Sequence, residues 1–168
     1  MFEVLTVPAR QVVAAATEAA VALGSAEVEG VHLLLGFLHT PSVVQQAVRE
    51  YLPDRDVLRG EVQRLTLRSA SGAHPFGEEV ILALATARGI SVGRDVRSTG
   101  SGTVLLGLLT LGPRSVTALF RSQGVDVEAF RRAVAVVDDC DESTAAPPGA
   151  PTWTVRIGPA GPDGWDDP

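Results

Sequence analysis

Few side chains in this chain titrate or react near neutral pH: His32, His39, His74 and Cys140. His32 and His39 are seven positions apart and can share a helix face, but no acid or thiol accompanies them at metal-ligand spacing. His32 therefore reads as a structural residue whose ring bonds a nearby backbone group, and no metal is expected. Glu78 and Glu79 are adjacent, so on a helix they point to different sides and do not form an acid/base pair. Cys140 is the only cysteine, which rules out an internal disulfide, and the acids of Asp138–Glu142 raise a thiol pKa and blunt its reactivity. Ser98–Thr103 (STGSGT) is glycine-rich and precedes an apolar segment, the arrangement that can hold an anion at a helix N-terminus. It follows no strand, and a connector is the better account. The chain lacks G-x-S-x-G, Walker, C-x-x-C and H-E-x-x-H motifs. It is expected to be neither an enzyme nor a cofactor carrier.

Composition narrows the partners. The formal charge is −6 and all 14 basic residues are arginines. With no lysine there is no P-loop cation, no Schiff base and no lysine base. An acidic chain is not drawn to nucleic acid or to an anionic membrane. Hydrophobic content of 45% places it among globular proteins, and 168 residues suffice for one domain or two small ones. No apolar run approaches the ~20 residues of a spanning helix. MFEVLTVPAR is not a signal peptide, so the cytoplasm is the expected compartment.

The elements that must position these residues are helical. Ala9, Val12, Val13, Ala16, Ala20 and Leu23 recur at steps of three and four, predicting a helix from Thr6 or Val7 to about Leu23. Val31–Leu38 is a short, almost wholly apolar helix. Ser42 and Gln45 match a capping box that opens a third, and Asp54 can cap a fourth carrying Leu58, Val62 and Leu65. After the small polar stretch Arg68–His74 the pattern restarts. Glu78 and Glu79 sit where a helix dipole favours acids, and Val80, Ala83, Leu84 and Ala87 make the stripe. Ser91–Thr103 reads as a long loop and Val104–Leu109 as a second buried segment. Gly112-Pro113 opens the next helix, and Asp126 caps the last.

The two sets of helices repeat. Leu5 aligns with Phe76, Val13 with Leu84, and Leu33–Leu38 with Val104–Leu109, all 71 positions apart. After one inserted residue, Arg49–Leu65 aligns with Arg121–Val137 at an offset of 72. The expected architecture is all-α, two tandem four-helix repeats about a pseudo-twofold axis with a flexible C-terminal tail. The boundaries read as repeat one over 1–67, a linker over 68–75, repeat two over 76–140, and a Pro/Gly/Asp-rich tail over 141–168.

Met1-Phe2-Glu3 with Ala9-Arg10, His32–Gly36 (HLLLG), Val104–Gly107 (VLLG) and Pro75-Phe76, in this order, resemble the Clp N-terminal (double Clp-N, or Clp R) domain of the Hsp100/Clp unfoldases. The resemblance covers about residues 1–137. It implies a non-enzymatic module that recruits substrates and adaptors to an AAA+ motor. No AAA+ module lies within the 168 residues, so a stand-alone relative without nucleotide binding is expected.

Two family sites bear on this sequence. Members that read phosphoarginine carry a Thr and a Glu just before each L-L-G; here those positions hold Gly30 and Val31, and Ser101 and Gly102. Without the carboxylate a guanidinium loses its charge-assisted partner, and phosphoarginine binding is expected to be lost or weak. The other family surface lies between the repeats and binds cyclic-peptide antibiotics in actinobacterial members. Phe2, Arg10 and Val13 are retained, and Phe76 supplies a second aromatic. The family's basic residue falls near Ile81, and Glu78 and Glu79 alter the rim. These residues either anchor a peptide, protein partner or cyclic peptide, or simply seal the core between the repeats. The resulting expectation is a decoy or modulator of a Clp unfoldase. The alternative is an adaptor of the Clp system that works through its acidic tail.

Overall fold

Thr6 stops an extended lead-in and starts the first helix. Its Oγ1 accepts from the Ala9 N–H at 3.3 Å, and Pro8 occupies the first turn, where no amide is needed. In the computed structural model, which describes residues 4–52, 55–66 and 76–138, this helix is the first of eight. They are α1 (Val7–Ala22), α2 (Gly30–His39), α3 (Gln45–Tyr51), α4 (Arg55–Thr66), α5 (Glu78–Gly93), α6 (Ser101–Leu111), α7 (Arg114–Gln123) and α8 (Val127–Asp138). The described chain is all-α, and its only β-type pairings are two isolated bridges.

α2 and α6 are the struts of the core. Every residue from Gly30 to Phe37 and from Ser101 to Leu109 is buried. Their glycines explain how they sit so deep. A Cβ on Gly36 would overlap Val12 O and press on Ala16, and one on Gly107 would overlap Ala83 O and Ala87 N. Each strut thus lies backbone-to-backbone on the long helix before it, a contact that a methyl group would forbid. Gly112 (φ 58) and Gly124 (φ 67) end α6 and α7 in the left-handed conformation. The Asp126 carboxylate accepts from the Glu128 and Ala129 amides at 3.0 Å to start α8.

The halves are joined by exchange. Leu5, ahead of α1, bridges to Thr99, ahead of α6; Phe76, ahead of α5, bridges to Val28, ahead of α2. The Thr6 N–H donates to Thr99 O at 3.1 Å, and the Gly77 N–H donates to Val28 O at 2.9 Å. Both members of each pair are shifted by the same 71 positions as the repeats. Helix packing is reciprocal too: α1 meets α6 as α5 meets α2, and α3 meets α8 as α7 meets α4. At the far end Tyr51 stacks on Phe130 at 5.1 Å, and Phe120 meets Phe130 edge-on at 5.9 Å.

Two expectations are corrected. Ser42 does not cap α3: its hydroxyl is buried without a hydrogen-bond partner among the described residues, and the Gln45 side chain donates through Nε2 to Leu38 O at 3.2 Å. Val44 is drawn fully into the core, so a turn occupies Ser42–Val44 and the helix starts at Gln45. Nor is Ser91–Thr103 one long loop. α5 continues to Gly93 and α6 begins at Ser101, because Ser91 is buried and donates to Thr99 Oγ1 at 3.1 Å. Asp54, the 68–75 linker and the 141–168 tail lie outside the described residues.

Candidate functional site

The seam where Val28 meets Phe76 brings three helix N-termini together. Glu29 is the N-cap of α2, Gly77 that of α5, and α7 starts at Arg114. Between them opens a cleft of about 390 Å³, lined by Glu27, Glu29, Glu78 and Glu79 with Arg114, Ser115, Gly77 and Ala118. Gly77 leaves room for one of the acids, since a Cβ there would lie 3.1 Å from Glu27 Oε2 and 3.3 Å from Val28 O. Glu79 is fixed from the other wall: Ser115 Oγ donates to its Oε2 at 2.6 Å. The same Oε2 would lie 3.5 Å from a Cβ on Gly30.

Four glutamates and one arginine therefore line a concave site, with the Glu29 side chain also accepting from the α2 backbone and Glu79 held by Ser115. The N-terminal dipoles of α2 and α5 favour anionic side chains at just these positions. A cleft with this excess of negative charge attracts ammonium or guanidinium groups and repels phosphate. Among the described residues, no group of three or more His, Cys, Asp or Glu converges tightly enough to hold a metal ion.

The residues expected from sequence fall elsewhere or only border the cleft. Phe2 lies outside the described residues. Arg10 is exposed on α1, whereas Val13 is buried and Phe76 is half-buried against the core. Of these, Arg10 alone extends a polar side chain into solvent. Gly30, Val31, Ser101 and Gly102 are all buried at the starts of α2 and α6. A Cβ on Gly30 would crowd Val116 Cγ2 at 3.0 Å and Leu108 Cδ1 at 3.1 Å, so a threonine there requires those side chains to move. Sequence reasoning missed Glu27, Glu29, Arg114 and Ser115. The available signal was the acidic pair flanking Val28, which becomes a wall only once Val28 is known to pair with Phe76.

His32 is structural. It is fully buried, and its Nδ1 accepts from the Glu29 N–H at 2.9 Å. That bond leaves the proton on Nε2. Burial pushes the imidazole pKa down to about 4, so the ring is neutral in the folded protein at physiological pH.

No protein-family model matches the chain, and no curated protein matches it by sequence. Solved structures do match its fold. The N-terminal domain of the caseinolytic protease associated chaperone ClpD from Arabidopsis thaliana superposes with a TM-score of 0.67 at 18% identity, covering 81% of this chain and 95% of that one. The Hsp104 N-terminal domain from Candida albicans superposes with a TM-score of 0.56 at 18% identity, covering 77% and 88%. The chain has a Clp N-domain-like fold.

Proposed function

We propose that this Clp N-domain-like fold serves as a non-enzymatic binding module that captures a cationic side chain of a peptide or protein partner in the acidic cleft beside Phe76. The observation that carries this reading is the cleft itself, with Glu27, Glu29, Glu78 and Glu79 around about 390 Å³ and only Arg114 opposing them. Likeness to the N-terminal domains of chaperones supports a protein partner in general. The charge selects unmodified arginine or lysine over phosphoarginine, in keeping with the loss of Thr and Glu at Gly30, Val31, Ser101 and Gly102. Phe76 precedes the cleft residue Gly77 and is half-buried against the core; a cyclic peptide at Phe2, Arg10, Val13 and Phe76 is the alternative ligand.

In this reading the two repeats, 1–67 and 76–140, form the binding body, and 68–75 and 141–168 are connector and tail. The module acts in the cytoplasm as a decoy for, or modulator of, a Clp unfoldase. A second reading, an adaptor acting through the acidic tail, rests on the run Asp138–Glu142. Truncation at Asp139 separates the two, because the cleft reading keeps partner capture without the tail.

The test is fluorescence anisotropy with one labelled peptide in three forms, bearing arginine, glutamine or phosphoarginine at the same position. The arginine form is expected to bind best, with affinity that falls as salt rises. Glu27→Gln with Glu78→Gln is expected to weaken it about tenfold or more, the scale of one lost charge-assisted contact. Equal binding of the arginine and glutamine forms, or tighter binding of the phosphoarginine form, sinks the proposal.

A further inference from the structure

α5 is apolar on both sides. Val80, Ala83, Leu84, Ala87 and Ser91 face the core. On the opposite side Ile81, Leu82 and Val92 are 40%, 45% and 59% exposed, and Ala85 and Gly89 lie exposed between them. Nothing in the fold asks for this. The equivalent face of α1 carries Arg10, Gln11 and Glu18 where α5 carries Ile81, Leu82 and Gly89, so the same scaffold accepts a polar surface. Gly89 is just as unexplained by the described residues: none of their atoms lies within 4 Å of where its Cβ would be. A mid-helix glycine weakens a helix, and the open space around it leaves no packing reason for it among the described residues.

The ends of the face carry opposite charge. Glu78 is exposed at the N-terminal end, and Arg94 and Arg97, with Asp95 between them, are exposed just past the C-terminal end, which is net positive. A twofold axis requires a surface to complement itself. This one does so in the antiparallel sense. With the axis over the turn between Ala85 and Gly89, Leu82 lies opposite the second copy's Val92, and Ala85 lies opposite the second copy's Gly89. Glu78 then approaches the second copy's Arg97, and the small residues at the centre let the two backbones come close.

We infer that the outer face of α5 is the contact by which two copies of this chain pair, antiparallel and about a twofold axis. A contact carried by one helix pair falls at the low end of specific interfaces, below about 1,200 Å². The dimer is therefore concentration-dependent. The inference rests on α5 and not on the ligand proposed for the cleft, although Glu78 borders both surfaces.

Sedimentation velocity on the full chain, from low micromolar to near-millimolar loading, tests it. The weight-average mass is expected to climb from one chain toward two, more steeply at low salt. Gly89→Glu and Leu82→Gln, which place residues of the α1 face on α5, are each expected to weaken association at least about tenfold. Val21→Gln, which removes a comparably exposed apolar residue from α1, is expected to change nothing. Far-ultraviolet circular dichroism of each variant confirms that its helices are intact. A wild-type chain that stays monomeric throughout overturns the inference. So does undiminished association of the folded Gly89→Glu and Leu82→Gln proteins, or loss of association with Val21→Gln equal to theirs.

Discussion

Gly36 lies on Val12 and Ala16 as Gly107 lies on Ala83 and Ala87, yet the opposite faces of those same long helices, which share Ala14 with Ala85 and Val21 with Val92, differ at three other positions. α1 turns Arg10, Gln11 and Glu18 to solvent; α5 turns Ile81, Leu82 and Gly89. The caps differ as well. Thr6 bonds the Ala9 amide with its hydroxyl, whereas Gly77 at the matching position has no side chain to cap with, and Glu27 Oε2 and Val28 O crowd the place where a Cβ would sit. The difference separates two kinds of constraint. Close backbone approach tolerates no change in volume, so both halves keep it. Solvent-facing and seam positions carry no such limit, and there the halves differ in charge, polarity and shape.

The comparison breaks most decisively at the struts. Gly107→Val is expected to cost about 3 kcal/mol or more, since its side chain meets backbone on Ala83 and Ala87 and not a movable tip. Gly36→Val should match it. Urea denaturation measures both, and a cost under about 1 kcal/mol in either half would end the claim that the interiors are equivalent.

His32 sharpens the comparison through pH, because Thr103 holds the matching place in the second half and does not titrate there. With a folded pKa of about 4 against 6.5 unfolded, the unfolded chain binds a proton that the native chain refuses. Stability is therefore complete above pH 6.5 and falls as pH drops toward 4, by up to about 3 kcal/mol. Urea midpoints collected across this range should lose that slope in His32→Thr. An unchanged slope would assign the effect to other groups.

The smallest effect concerns the caps. On an unobstructed helix start, giving Gly77 a threonine side chain adds a few tenths of a kcal/mol, up to about 1. Here Gly77→Thr is expected to leave the melting temperature unchanged or lower, because the new Cβ displaces Glu27. A clear gain in stability would mean that the cleft wall yields freely and does not define a site.

Much of the fold is legible in the sequence because it is written in two redundant codes. Apolar residues recur at helical spacing, and the pattern then recurs 71 residues later. The misreadings fall where polar residues serve the interior. Ser91, Thr99 and Ser101 look like loop residues, but they are buried, and the first two bond to each other. Ser42 looks like a cap, but the burial of Val44 sets the helix start. The cleft was invisible for a different reason. Glu27, Glu79 and Ser115 come from three distant segments, and alignment of the repeats reveals that they are alike without revealing that their lead-ins trade places.

That trade also bears on what holds the molecule together. Because Leu5 belongs to the other half's Thr99, and Phe76 to the other half's Val28, neither half closes its own edge. The covalent link between Thr66 and Phe76 raises the local concentration of each half around the other, while the crossed lead-ins supply the grip. Such a protein behaves as a dimer written on one chain.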